Sequence, residues 1–225
     1  MSAVATKNRI LVEAAVESVE AAIAAEQAGV DRLELCADLA NGGTTPSFEL
    51  IDAVRAATRL PLQVMVRPRA GNFVYSEREI ARMTRDIGLI RGRNPSGIVT
   101  GVIGSDGKLD ERNLKRLLTA ARTTPVTFHR AFDRLADPIG ALEPLIELGV
   151  ERILTSGGPR TASEGIEQLA AMVERARGRK TVILAGGGVR AHNVREIIAR
   201  TGVREVHARF VDSAQMKALV AAARD

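Results

Sequence analysis

Runs of β-branched and aliphatic residues alternate with amphipathic stretches of helical period along the whole chain. That alternation predicts repeated βα units and a parallel sheet. Strands are expected at 10–15, 32–36, 62–67, 97–102, 126–129, 152–156, 181–185 and 205–207. Helices are expected near 17–28, 47–58, 77–91, 110–122, 138–148, 162–177, 190–200 and 212–223, several opening on capping residues such as Ser47, Ser76 and Asp110. Eight βα pairs predict a single (β/α)8 TIM barrel over 1–225, with 1–9 as a flexible N-terminal tail. A doubly wound open sheet is the competing architecture, but no strand is followed by the Gly-x-Gly-x-x-Gly turn of a dinucleotide site.

Successive strand residues point to opposite faces, so parity shows what lines the barrel. Leu33 and Leu35 face the helices, which turns Glu34 and Cys36 inward. The same parity turns Gln63, Met65 and Arg67 inward, and Thr127 with His129; Glu13 shares the interior with Ala15. Burying so many ionisable groups is unfavourable unless they pair with one another or with a ligand.

The segment 125–133 carries the densest chemistry, because a short apolar strand ends in His129, Arg130 and Asp133. The carboxyl ends of barrel strands are where ligands bind. His129 supplies a titrating group, Arg130 an anion-binding fork, and Asp133 a carboxylate that could orient the histidine or accept from the ligand. Glu13 and Glu34 lie on adjacent strands and could form a general acid and base pair; the alternative is a structural ion pair with Arg67. Candidate catalytic residues are therefore Glu13, Glu34, His129 and Asp133. Candidate ligand-binding residues are Arg67, Arg69 and Arg130, the turn residues Ser156, Gly157, Gly186, Gly187 and Gly188, and His207 at the end of the last strand.

Composition narrows the function classes. The chain has 225 residues, 45% hydrophobic and 26% charged, enough for one sizeable core with no linker-like segment. The net charge is +5, carried mostly by arginine spread over the helix patterns, and the aromatic content is 3% with no Trp. Nucleic acid is not the expected partner. No apolar run is long enough for a membrane span and the first nine residues lack a signal-peptide core, so a cytoplasmic location is expected. Cys36 is the one cysteine, a single free thiol. None of the five lysines falls on an inward strand position, which argues against Schiff-base aldolase chemistry.

The motifs in their order resemble the CutC family, named for copper homeostasis, from about Ile10 to His207. The matching stretches are Leu33-Glu34-Leu35-Cys36, Gly42-Gly43-Thr44-Thr45-Pro46-Ser47, Val66-Arg67-Pro68-Arg69, Tyr75-Ser76, 127–133, 152–157 and Gly186-Gly187-Gly188-Val189. The resemblance implies a barrel that forms homo-oligomers, a role in copper homeostasis, and copper as a possible bound ion ligated by cysteine. Where the family's first strand usually carries a cysteine, this chain has Ala15, so Cys36 is its single thiolate candidate. A soft copper(I) site wants at least two sulfur ligands, and direct copper binding is expected to be weak. The residues alone also allow an enzyme that performs acid/base chemistry on a small anionic metabolite, phosphorylated or sugar-like.

Overall fold

The computed structural model describes residues 9–225; the expected N-terminal tail lies, but for Arg9, outside the described residues. Eight parallel strands close into a barrel: β1 (Leu11–Val16), β2 (Arg32–Leu35), β3 (Leu62–Met65), β4 (Gly97–Thr100), β5 (Val126–Phe128), β6 (Arg152–Thr155), β7 (Val182–Ala185) and β8 (Glu205–Arg209). Each strand is followed by a helix: α1 (Val19–Gln27), α2 (Phe48–Ala57), α3 (Glu77–Arg91), α4 (Glu111–Ala121), α5 (Pro138–Glu147), α6 (Ile166–Arg175), α7 (Val194–Thr201) and α8 (Ser213–Arg224). The barrel expected from the alternation is the one found, and the open sheet is excluded because β8 hydrogen-bonds back to β1.

The helix starts follow local chemistry. Ser47 accepts from the Leu50 N–H, and Asp110 accepts from the Asn113 N–H. Ser76 and Glu79 form a reciprocal capping box at the start of α3. Outward strand residues, among them Leu33, Leu35, Val64, Phe128 and Ile153, pack with the inner faces of the helices in one continuous core. β8 runs two residues past the expected end, which carries Arg209 to the mouth of the barrel.

The barrel interior is polar, and strand register decides who meets whom. Glu13 on β1 lies opposite Arg32 on β2 and His207 on β8, while Ala15 lies opposite Glu34. Parity alone places all of these inward; only the stagger of the closed sheet makes them neighbours.

Candidate functional site

A cavity of about 1140 Å³ opens at the carboxyl ends of the strands. Its floor is made by Ala15, Glu34, Met65, His129, Leu154 and His207, all on strands or one residue beyond them. Its walls carry arginine. Arg67, Arg130, Arg134, Arg160, Arg190 and Arg209 all line it, against two carboxylates, Glu34 and Asp133. Arg134, Arg160 and Arg190 have no ion-pair partner among the described residues. A concave, low-dielectric site with such an excess of guanidinium groups attracts anions and holds carboxylate or phosphate oxygens by bidentate hydrogen bonds.

His129 stands at the end of β5, 3% exposed, with its ring 4.8 Å from that of Phe73. Arg67 lies over the same Phe73 ring, 4.8 Å from its centre. Gly101 makes this position possible: a Cβ there would come within 2.6 Å of His129 Nδ1. Nδ1 accepts the Ala131 N–H at 3.2 Å, so the proton of the neutral ring sits on Nε2, a buried donor with no partner among the described residues. Burial, reinforced by the nearby Arg67 charge, pushes the pKa of His129 down to about 3. The titrating role expected of His129 is therefore corrected: near neutral pH it is a fixed N–H donor.

The expected partnership of Asp133 with His129 is also corrected. Asp133 accepts from Thr155 Oγ1 at 2.5 Å, from the Ser156 N–H at 3.1 Å and from Arg130 Nε at 2.7 Å. The 3-10 turn over Phe132–Arg134 turns it toward β6, where it fixes Arg130 at the cavity wall. Ser156 and Gly157, just after β6, brace that turn and do not line the cavity. The Ser156 hydroxyl takes up Arg130 Nη2 at 2.8 Å, and the Gly157 N–H donates to Thr155 Oγ1 at 2.9 Å.

Glu13 and Glu34 do not pair with Arg67. Glu13 is ion-paired with Arg32, which continues at 2.6 Å to Glu205, and Glu205 takes Arg152 at 3.0 Å. This network lies beneath the cavity, and Glu13 does not line it. Glu34 meets His207 instead, Oε2 to Nε2 at 2.7 Å. Burial works against the imidazolium of His207, but the Glu34 and Glu13 carboxylates outweigh it and raise its pKa. Arg67 spends its guanidinium on the carbonyls of Gly43, Gly71 and Asn41 at 2.7, 2.9 and 3.1 Å, tying the β2 and β3 loops together.

Arg69 is turned out of the cavity. After Pro68 the loop folds toward α3, and the guanidinium bonds Glu79 at 2.6 Å and lies over Tyr75. Gly186 is likewise spent, its N–H donating to Thr155 O at 2.9 Å, while Gly187 and Gly188 do line the cavity. The residues that parity and motif left out are Arg134, Arg160, Arg190 and Arg209. Their signal was an arginine within six residues of a strand's end, repeated on four successive strands.

Cys36 does not reach the cavity surface. It is fully buried in a small apolar cluster with Met65 and Val99, and Gly43, in a left-handed conformation at φ 83, closes over it. A Cβ on Gly43 would lie 3.1 Å from the thiol sulfur. Burial, together with the Glu34 and Glu13 charges, raises the pKa of this thiol well above its ordinary value. On the adjacent strand the inward position next to Glu34 is the methyl group of Ala15. The second sulfur in the cluster is the Met65 thioether, so the sulfur donors present are one thioether and one thiol whose burial disfavours the thiolate, a weaker set for copper(I) than a pair of thiolates.

Comparison with known proteins settles the lineage. The CutC family model matches residues 10–212. The chain belongs to the CutC family. The human protein named copper homeostasis protein cutC homolog is 44% identical over 200 residues, 89% of this chain and 73% of that protein. The family protein CutC of Klebsiella pneumoniae (strain 342) is 46% identical over 190 residues, 84% of this chain and 76% of that one. The solved CutC structure from Streptococcus agalactiae superposes with a TM-score of 0.83 at 34% identity, covering 90% of this chain and all of the other. A Rubisco-like protein from Rhodopseudomonas palustris, at 16% identity and a TM-score of 0.69, shares the barrel alone. No helix among the described residues is long and apolar enough to cross a membrane.

Proposed function

We propose that this chain serves copper homeostasis, the role that the names of its human and mouse relatives give those proteins, and that it does so in the cytoplasm. We further propose that it acts by binding a small anionic molecule in the barrel mouth, not by holding copper(I) on Cys36. The supporting observation is the imbalance of charge in the cavity, where six arginines face two carboxylates. The neutral His129 Nε2–H adds a donor suited to an anion's oxygen, and Arg130, fixed by Asp133, adds a preorganised fork. Phosphorylated or carboxylated metabolites of sugar size are the ligand class that this chemistry recognises.

Competitive titration against a copper(I) chelator tests the copper part of this reading, with the natural chain, Cys36→Ser and Ala15→Cys compared. The natural chain and Cys36→Ser should bind copper(I) equally weakly, and Ala15→Cys should bind it more tightly by at least about tenfold, since it supplies a second thiolate. Tight binding by the natural chain that is lost in Cys36→Ser overturns the proposal. Copper tolerance of a cell lacking its own CutC protein, restored by Cys36→Ser but not by the double variant Arg160→Ala/Arg190→Ala, is the matching cellular result. Homo-oligomer formation belongs to the same proposal, and light scattering of the purified chain measures it.

Turnover of the bound anion is the second reading. Glu34, His129 and Asp133 all line the cavity and can reach its ligand, with Asp133 already engaged by Arg130, Thr155 and Ser156, whereas Glu13 lies beneath the cavity and is paired with Arg32. Product analysis after incubation with sugar phosphates separates turnover from simple binding.

A further inference from the structure

Beneath the arginine-lined walls, three potential ligand atoms of Glu13, Glu34 and His207 lie within 4.8 Å of one another. The strand register builds this group, since Glu13 lies opposite His207 across β1 and β8, and Ala15, two residues on from Glu13, lies opposite Glu34 across β1 and β2. All three side chains are held by the sheet. Glu13 and Glu34 are 1% and 3% exposed.

A second observation points to a ligand. Oε1 of Glu13 and Oε1 of Glu34 are both buried and neither has a hydrogen-bond partner among the described residues. Arg32 engages the other oxygen of Glu13, and His207 engages the other oxygen of Glu34. A buried carboxylate oxygen with nothing to accept from is costly, and this group of three residues contains two. Glu13 Oε1 lies 3.9 Å from His207 Nε2, and Glu34 Oε2 lies 2.7 Å from it. These separations bracket the roughly 3.3 Å expected between donors bound at about 2.0–2.1 Å around a tetrahedral ion.

We propose that Glu13, Glu34 and His207 form a binding site for a divalent transition-metal ion. Two carboxylates and one imidazole are the donors of zinc, manganese or iron(II), not of copper(I), and the thiol of Cys36 is not in the set. Three protein ligands leave coordination positions open, and because Glu34 and His207 line the cavity those positions face it. Arg32, bonded to Glu13 and Glu205, would then be the outer partner that orients Glu13 toward the ion. The proposal rests on the donor geometry and stands whether or not the cavity's anion is identified.

The test uses the whole chain, stripped of metal with a chelator, then dialysed against Zn2+ or Mn2+ and measured for bound ion by elemental analysis and calorimetry. The natural chain should take up one ion, and Glu34→Gln, which keeps shape and loses charge, should weaken binding by at least about tenfold. Cys36→Ser and His192→Ala should leave it unchanged, since Cys36 is outside the donor set and His192 is on the surface. Co2+ substitution gives a visible ligand-field spectrum that should change in Glu34→Gln and in His207→Asn even where total uptake is similar. No stoichiometric ion in the natural chain, or equal affinity and an unchanged Co2+ spectrum in Glu34→Gln, overturns the site. Loss of binding in His192→Ala alone would place the ion on the surface and overturns it too.

Discussion

Acid should destabilise this barrel through His129, and the size of the effect follows from its surroundings. In the folded chain the ring is buried beside Arg67 and stays neutral down to about pH 3. In the unfolded chain it titrates near 6.5. Between those values the unfolded state binds a proton that the folded state refuses, so stability falls as pH falls below about 6.5. At pH 5 that is about 1.5 pH units, or about 2 kcal/mol relative to pH 8, from this residue alone. Carboxylates elsewhere also titrate, so the measurement is a comparison. His129→Asn keeps an acceptor for the Ala131 N–H but cannot be protonated. Urea unfolding followed by circular dichroism at pH 8 and pH 5 should show the natural chain losing about 2 kcal/mol more than the variant. The stability gap between the two therefore narrows in acid. Equal losses would mean that His129 is protonated in the fold, and the fixed-donor role assigned to it would be wrong.

Other consequences are checked more simply. Arg32→Met leaves Glu13 and Glu205 without their shared cation in the barrel floor and should lower stability by about 3–5 kcal/mol in urea titration; adding Glu13→Gln should recover part of it. Gly101→Ala pushes a methyl group against the His129 ring, and a loss of about 1–3 kcal/mol together with a shifted His129 resonance is expected. Cys36→Ser puts a hydroxyl in an apolar cluster, so it should lower the melting temperature while leaving anion binding unchanged by calorimetry. Arg69→Ala should likewise leave binding unchanged, because that side chain braces α3 outside the cavity.

Much of this barrel can be read from period-two parity. Glu34, Arg67, His129 and His207 face inward as alternation requires, and the loops after β2 to β7 reach the cavity at the carboxyl ends of the strands as the fold demands. Parity carries no information about stagger. It does not show that Glu13 sits opposite Arg32, so on parity alone Arg67 is the cation offered to Glu13, whereas the β2 and β3 loops occupy Arg67. Loop direction was equally hidden: Arg69, two residues beyond Arg67, is drawn away by Glu79, a partner ten positions later. Asp133 looked like a histidine partner because it is near in sequence, but the turn between them points it at Ser156. The arginines of the later loops carry no motif of their own. Arg160 and Arg190 stand beside glycine turns that drew attention to backbone donors, and only the closed ring of strands shows them facing one space.

Calorimetric titration with ribose 5-phosphate, and with inorganic phosphate as the smaller probe, tests the central claim most directly. The natural chain should bind in a saturable way that weakens as salt rises, because guanidinium groups dominate the cavity. Arg160→Ala/Arg190→Ala, which removes two arginines without ion-pair partners among the described residues, should weaken binding by at least about tenfold while leaving the melting temperature nearly unchanged. Saturable binding to the natural chain that the double variant keeps in full, or no binding of either anion by the natural chain at low salt, would contradict the account.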